Sequence, residues 1–130
     1  MPITYTIDVE AGTLLVTWRG EVSLQELARH WDTLLKDDAF HDIARAITDL
    51  RESTFAFSNT EFWRTIDHHY RDVIEHKPLK VAILVANEEH EKYAGIWTTL
   101  VPKTVTVGLF YDPTQASAWL QSDPDAEPVE

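Results

Sequence analysis

The densest group of chemically able side chains is Asp67-His68-His69-Tyr70-Arg71-Asp72, followed by Glu75 and His76. On a helix His68 and Asp72 stand one turn apart, the spacing of a two-ligand metal site. Both fall on the polar side of that helix, however, and His69 sits at the margin of its apolar face. No separate third ligand is indicated, so a solvated face without metal is expected. Ser58 with His68 or His69 and a nearby Asp would supply the residue types of a nucleophilic triad. The Gly-x-Ser-x-Gly elbow is missing, and nothing places an oxyanion hole. There is no P-loop and no dinucleotide fingerprint, and only four Gly are present to build phosphate-cradling loops. With no Cys, thiolate metal sites, disulfides and Cys nucleophiles are excluded. The expectation is a protein without enzyme activity and without a cofactor.

The remaining chemistry is burial of aromatic rings. Phe55, Phe57, Phe62, Trp63, Tyr70, Tyr93 and Trp97 crowd one loop and two helices. Rings at helical spacing ordinarily fill a core; the sharper alternative is an apolar pocket for a small nonpolar ligand or a partner's apolar surface. Trp63 discriminates, because on a helical wheel it stands about 100° from Phe62, toward the edge of the apolar stripe.

These side chains must be carried by elements that the chain spells out in order. Ile3, Tyr5, Ile7 and Val9 alternate with polar residues, as do Leu14, Val16 and Trp18, which predicts a hairpin of residues 2–9 and 13–19 ended by Gly20. Ser23-Leu24-Gln25-Glu26 is a capping-box pattern opening a helix with Leu27, Trp31 and Leu34 inward. After a polar loop at Lys36-Asp37-Asp38, a strand near Arg45–Leu50 leads to the loop Arg51–Thr60 and a helix over roughly Thr60–His76. The apolar run Lys80–Ala86 reads as a central strand, and Asn87 caps a helix with Tyr93, Ile96 and Trp97 inward, stopped by Pro102. Thr104–Tyr111 is another strand, and Asp112-Pro113 opens the last helix. Gly95 weakens the third helix by about 1 kcal/mol relative to Ala, which suits a mobile element or a close packing contact.

The order β-β-α-β-α-β-α-β-α predicts an α/β fold: a mixed β-sheet, with an N-terminal hairpin and then parallel strands, flanked by about four helices. One domain is expected over residues 1–121, with an acidic, disordered tail at 122–130. Net charge is −11, and −7 remains when Asp123, Asp125, Glu127 and Glu130 are set aside. That sign repels phosphate backbones, so nucleic acid is not an expected partner, while peripheral membrane contact through apolar groups and a homodimer are both compatible with it. The N-terminus shows no signal-peptide pattern, and no apolar run approaches the roughly 20 residues of a membrane span. A cytoplasmic location is expected.

The element order and several local motifs resemble the SpoIIAA-like branch of the STAS (sulphate transporter and anti-sigma-factor antagonist) family, over roughly residues 3–121. The motifs are Ile47-Thr48-Asp49-Leu50 and the ending Tyr111-Asp112-Pro113 with Ala116-Ser117-Ala118-Trp119-Leu120. The family loop reads approximately D-L-S-x-V-x-F-[IM]-D-S-S-G, and its second Ser accepts phosphate from a kinase. Asp49, Leu50 and Phe55 match it and Ser58 falls on its first Ser, but Phe57 replaces its Asp, Asn59 the phosphorylated Ser and Thr60 the Gly. The resemblance implies two functions: an anti-sigma-factor antagonist manner of regulatory protein interaction, here switched at Ser58, or a lipid carrier likened to CRAL-TRIO proteins, with an apolar pocket under mobile helices. Phe57 in place of a carboxylate fits the second better.

Overall fold

The structure, a computed structural model, describes residues 2–64, 78–100 and 104–122. Its strands are β1 (Ile3–Asp8), β2 (Thr13–Val22), β3 (Arg45–Phe55), β4 (Leu79–Leu84) and β5 (Val105–Phe110). Its helices are α1 (Leu24–Leu35), a segment α2 that is helical over residues 59–64, α3 (Glu88–Leu100) and α4 (Pro113–Leu120). The continuation of α2 toward His76, with Tyr70 and the His68–Asp72 group, lies outside the described residues, as do Pro102 and the acidic tail beyond Ser122. No described helix is long and apolar enough to cross a membrane.

The strands lie in the sequential order β1-β2-β3-β4-β5, with β1 antiparallel to β2 and every later pair parallel. Each step from β2 to β5 moves to the next strand in one direction. Right-handed connections then place their helices on a single face. Leu27, Trp31 and Leu34 of α1, Phe62 of α2, and Tyr93, Ala94 and Trp97 of α3 accordingly share one core with Leu14, Val16, Trp18, Val81 and Ile83 of the sheet. α4, which follows the last strand, packs on the opposite face, where Ala116, Trp119 and Leu120 meet Ala82, Leu84 and Phe110. Among the described residues the outer face of β1 to β3 carries no helix beyond α4's margin, and Thr4, Thr6 and Leu15 are exposed there.

Local chemistry explains the terminations and two departures from the sequence reading. Ser23 caps α1, its Oγ accepting from the Glu26 N–H at 3.2 Å and its hydroxyl donating to the Glu26 carboxylate at 3.0 Å. Gly20 does not end the second strand. It takes φ +69° within the strand, just past a register slip between Thr17 and Arg19, and the ladder with β3 runs on from Gly20–Ser53 to Val22–Phe55. Glycine takes that positive φ without the steric penalty other residues meet there. The stretch after Lys36 is a one-turn 3-10 helix, Asp38–Asp42, capped by Asp37 and anchored by buried Phe40.

Lys80 is buried mid-strand in β4. Its ammonium donates to the Trp119 and Ser122 carbonyls and to the Ser122 hydroxyl, and lies 4.5 Å from the Trp119 ring centroid. A cation at the carbonyl end of α4 is well placed against the helix dipole. Gly108 in β5 serves the same contact: a Cβ there would stand 2.7 Å from Phe110 and 3.0 Å from the Trp119 ring. Gly108→Ala is expected to lower stability by about 1–3 kcal/mol through overpacking, read as a lower urea midpoint with unchanged slope.

Candidate functional site

The expected loop after the third strand is shorter than its sequence suggests. β3 continues through Phe55, and only residues 56–58 turn the chain into α2. Ser58 closes that turn with a full capping box: its Oγ accepts from the Glu61 N–H at 3.1 Å, and the Glu61 carboxylate accepts from the Ser58 N–H at 3.0 Å. These hydrogen bonds hold the Glu61 carboxyl below the usual range. One strand over, the Asn87 side chain accepts from the His90 N–H at 3.0 Å and caps α3. Two helix starts therefore face each other at the carboxyl ends of β3 and β4, where open α/β sheets carry their sites.

His90 ties the two together. It is 0% exposed; its Nδ1 accepts from the Ala86 N–H at 3.0 Å, which leaves Nε2–H to donate to the Ser53 carbonyl at 2.9 Å. One neutral tautomer thus joins β3 to the β4–α3 turn. His90 is not among the residues singled out from sequence; the capping Asn87 three positions before it is the signal that it enters a helix start.

Four of the seven aromatic residues singled out from sequence are brought into ring contact. Phe62 stacks on Tyr93 with centroids 4.1 Å apart, Phe57 lies 5.8 Å from Phe62, and Phe55 lies 5.4 Å from Phe57 and 5.2 Å from Tyr93. Trp18, which spacing alone did not link to this group, completes it at 5.0 Å from Tyr93 and 5.6 Å from Phe55. Trp97 is buried deeper in the same core. Trp63 is 47% exposed, as its place at the edge of the stripe suggested. Tyr70 falls outside the described residues. Burial pushes the Tyr93 phenol far up, so it stays protonated.

Two spaces adjoin this cluster. Under the helices, lined by Trp18, Trp31, Tyr93 and Trp97, is a small apolar void of about 30 Å³. At the surface, Phe55, Phe57, Phe62 and Tyr93 floor an open cleft of about 470 Å³, with Ser58, Asn59, Glu88, Glu89 and Lys92 at its rim. Phe55 and Phe57 are half-buried in it. The Glu89 carboxylate accepts from the Phe55 N–H at 3.2 Å, tying the rim to the end of β3. Further out, Tyr111 donates a short hydrogen bond to Glu91, and that carboxylate raises the Tyr111 phenol. Among the described residues no group of three acidic or His side chains is disposed to hold a metal.

Gly95 does not serve close packing, because a Cβ there would have nothing within 4 Å. Gly95→Ala is expected to stabilise the protein by about 1 kcal/mol, the full helix-propensity difference, measured as a raised thermal midpoint.

A mixed five-stranded sheet with three helical segments on one face and a fourth on the other, among the described residues, is a SpoIIAA-like fold. The structural comparison bears this out: the chain is similar to an uncharacterized protein from the DUF3478 family with a SpoIIAA-like fold, from Shewanella loihica. The TM-score is 0.61 at 21% sequence identity, covering 91% of each chain. No family model matches the sequence, and no curated protein matches it.

Proposed function

We propose that this protein is a non-enzymatic binding module whose open aromatic cleft receives the apolar side chains of a protein partner or a small nonpolar group. The observation that carries this reading is the contrast between the two spaces: about 30 Å³ beneath the helices against about 470 Å³ in the cleft. An internal lipid site would require the packed core to open, whereas in the cleft Phe55 and Phe57 are already partly open to solvent. Burial of apolar surface at about 25 cal/mol per Å² supplies the affinity. Glu88 and Glu89 at the rim favour an occupant carrying a basic group beside its apolar one. Catalysis is not part of the proposal, since no nucleophile and base are paired among the described cleft residues.

A regulatory switch at Ser58 is the second reading, favoured by the exposure of that hydroxyl at the cleft rim. Its difficulty is electrostatic. A phosphate there would displace a capping bond and stand beside Glu61, so like charges oppose it.

The test is titration with Nile red, a neutral apolar dye, together with native mass spectrometry of protein purified without detergent. Saturable dye enhancement that falls at least about tenfold in affinity in Phe57→Asp supports the cleft; equal binding by the variant, or none by the parent chain, overturns it. A co-purifying fatty acid unaffected by Phe57→Asp would point instead to the interior. A phosphate adduct lost in Ser58→Ala would point to the switch.

A further inference from the structure

β1 is an edge strand, and its free side has an unusual simplicity. Pro2 accepts from the Arg19 N–H at 2.8 Å, so Pro2 and Arg19 form a hydrogen-bonded pair. Alternation along an antiparallel ladder then turns the backbone N–H and C=O of Ile3, Tyr5 and Ile7 away from β2. Among the described residues no strand lies beyond β1. Protected edges usually carry a lysine, an internal proline or a bulge. From Ile3 to Asp8 there is none of these: the register with β2 is unbroken and the only charged residue is Asp8.

We infer that β1 pairs antiparallel with β1 of a second copy of this chain about a two-fold axis at Tyr5, joining two sheets into one of ten strands. The outward groups at residues 3, 5 and 7 are symmetric about Tyr5, so one register satisfies all of them. In that register Ile3 opposes Ile7 of the copy, Thr4 opposes Thr6, and Tyr5 opposes its own equivalent. Thr–Thr and aromatic pairs are favourable cross-strand neighbours. Asp8 falls opposite Pro2, so no like charges face each other, which matters in a chain of net charge −11. Beside the edge, β1 and α1 border a groove of about 530 Å³ that includes Ile3, Tyr5, Glu26 and Arg29. A self-complementary patch is what a closed two-fold dimer requires.

Sedimentation equilibrium over about 1–200 µM and amide hydrogen exchange at the two ends of that range test this. A dimer is expected, with the Tyr5 and Ile7 amides gaining protection as concentration rises. The double variant Thr4→Lys/Thr6→Lys places opposed lysines on the exposed face of the strand. It should weaken dimerisation at least about tenfold while leaving the circular dichroism and thermal midpoint of the monomer unchanged. A monomer across the whole range overturns the inference. So does a dimer in which those two amides exchange as fast as in the monomer, because its contact would then lie elsewhere, such as at exposed Trp63.

Discussion

His90→Ala is expected to lower stability by about 3–5 kcal/mol, the largest effect of any single truncation at the cleft. The imidazole is wholly buried and both of its nitrogens are engaged, one by the Ala86 N–H and one by the Ser53 carbonyl. Removing it leaves a buried carbonyl without its donor, at about 1–3 kcal/mol, and opens a cavity beside Phe55 and the α3 start. His90→Leu separates the two contributions, since leucine refills most of the volume and restores neither hydrogen bond. Urea denaturation should place His90→Leu between the parent and His90→Ala. If both variants unfold at the parent's midpoint, the imidazole is not the tie between β3 and the β4–α3 turn. Near-ultraviolet circular dichroism should fall in both, because the Phe55 centroid lies 5.5 Å from the His90 ring.

The second large effect is a loss of stability in mild acid that belongs to one residue, His30. It is buried between α1 and β1, with Tyr5 at 5.9 Å and Trp31 at 5.2 Å between ring centroids. Burial alone pushes its imidazole down from 6.5 to about 4. The unfolded chain therefore takes up a proton that the folded chain refuses. The stabilisation is complete above pH 6.5 and drains away as pH falls from there toward 4, amounting to about 3 kcal/mol in all. Carboxylates held low, such as Glu61 and Asp49, act in the same direction but at lower pH. For Asp49, burial raises the carboxyl, and the hydrogen bonds and charge of Arg51 more than reverse this. Stability measured from pH 7.5 to 4 should thus slope downward below 6.5 in the parent chain and be flatter in His30→Leu by close to one proton. Parallel slopes for the two proteins would show that His30 stays neutral, or becomes charged, equally in both states.

Gly108 and Lys80 show where sequence reading stops. In TVTVGLF the glycine breaks an otherwise regular strand, and nothing nearby says that Trp119 will press against it from a helix beginning several residues later. Lys80 opens an apolar run and looks like its polar boundary, yet it is buried under the end of α4. The β3 extension through Phe55 was hidden for a related reason. Arg51, Glu52 and Thr54 are exposed, and this part of β3 keeps a ladder only with β2, so it lacks the two-sided apolar pattern of a central strand.

The sequence by itself determined the element order, the caps at Ser23, Asn87 and Asp112, a helix start at Ser58 or Asn59, the mixed sheet, and that Phe55, Phe57, Phe62 and Tyr93 would gather at its carboxyl end. Those are consequences of periodicity and of hydrogen bonding within a few residues, both of which are written locally. Tertiary structure alone decided that Phe55 and Phe57 floor an open cleft while Trp97 is buried beside a void of only about 30 Å³. It also decided that His90 locks the cleft's two sides and that β1 is left as a bare edge. Each of these depends on which atoms from distant segments come within contact distance, and spacing along a chain carries no record of that.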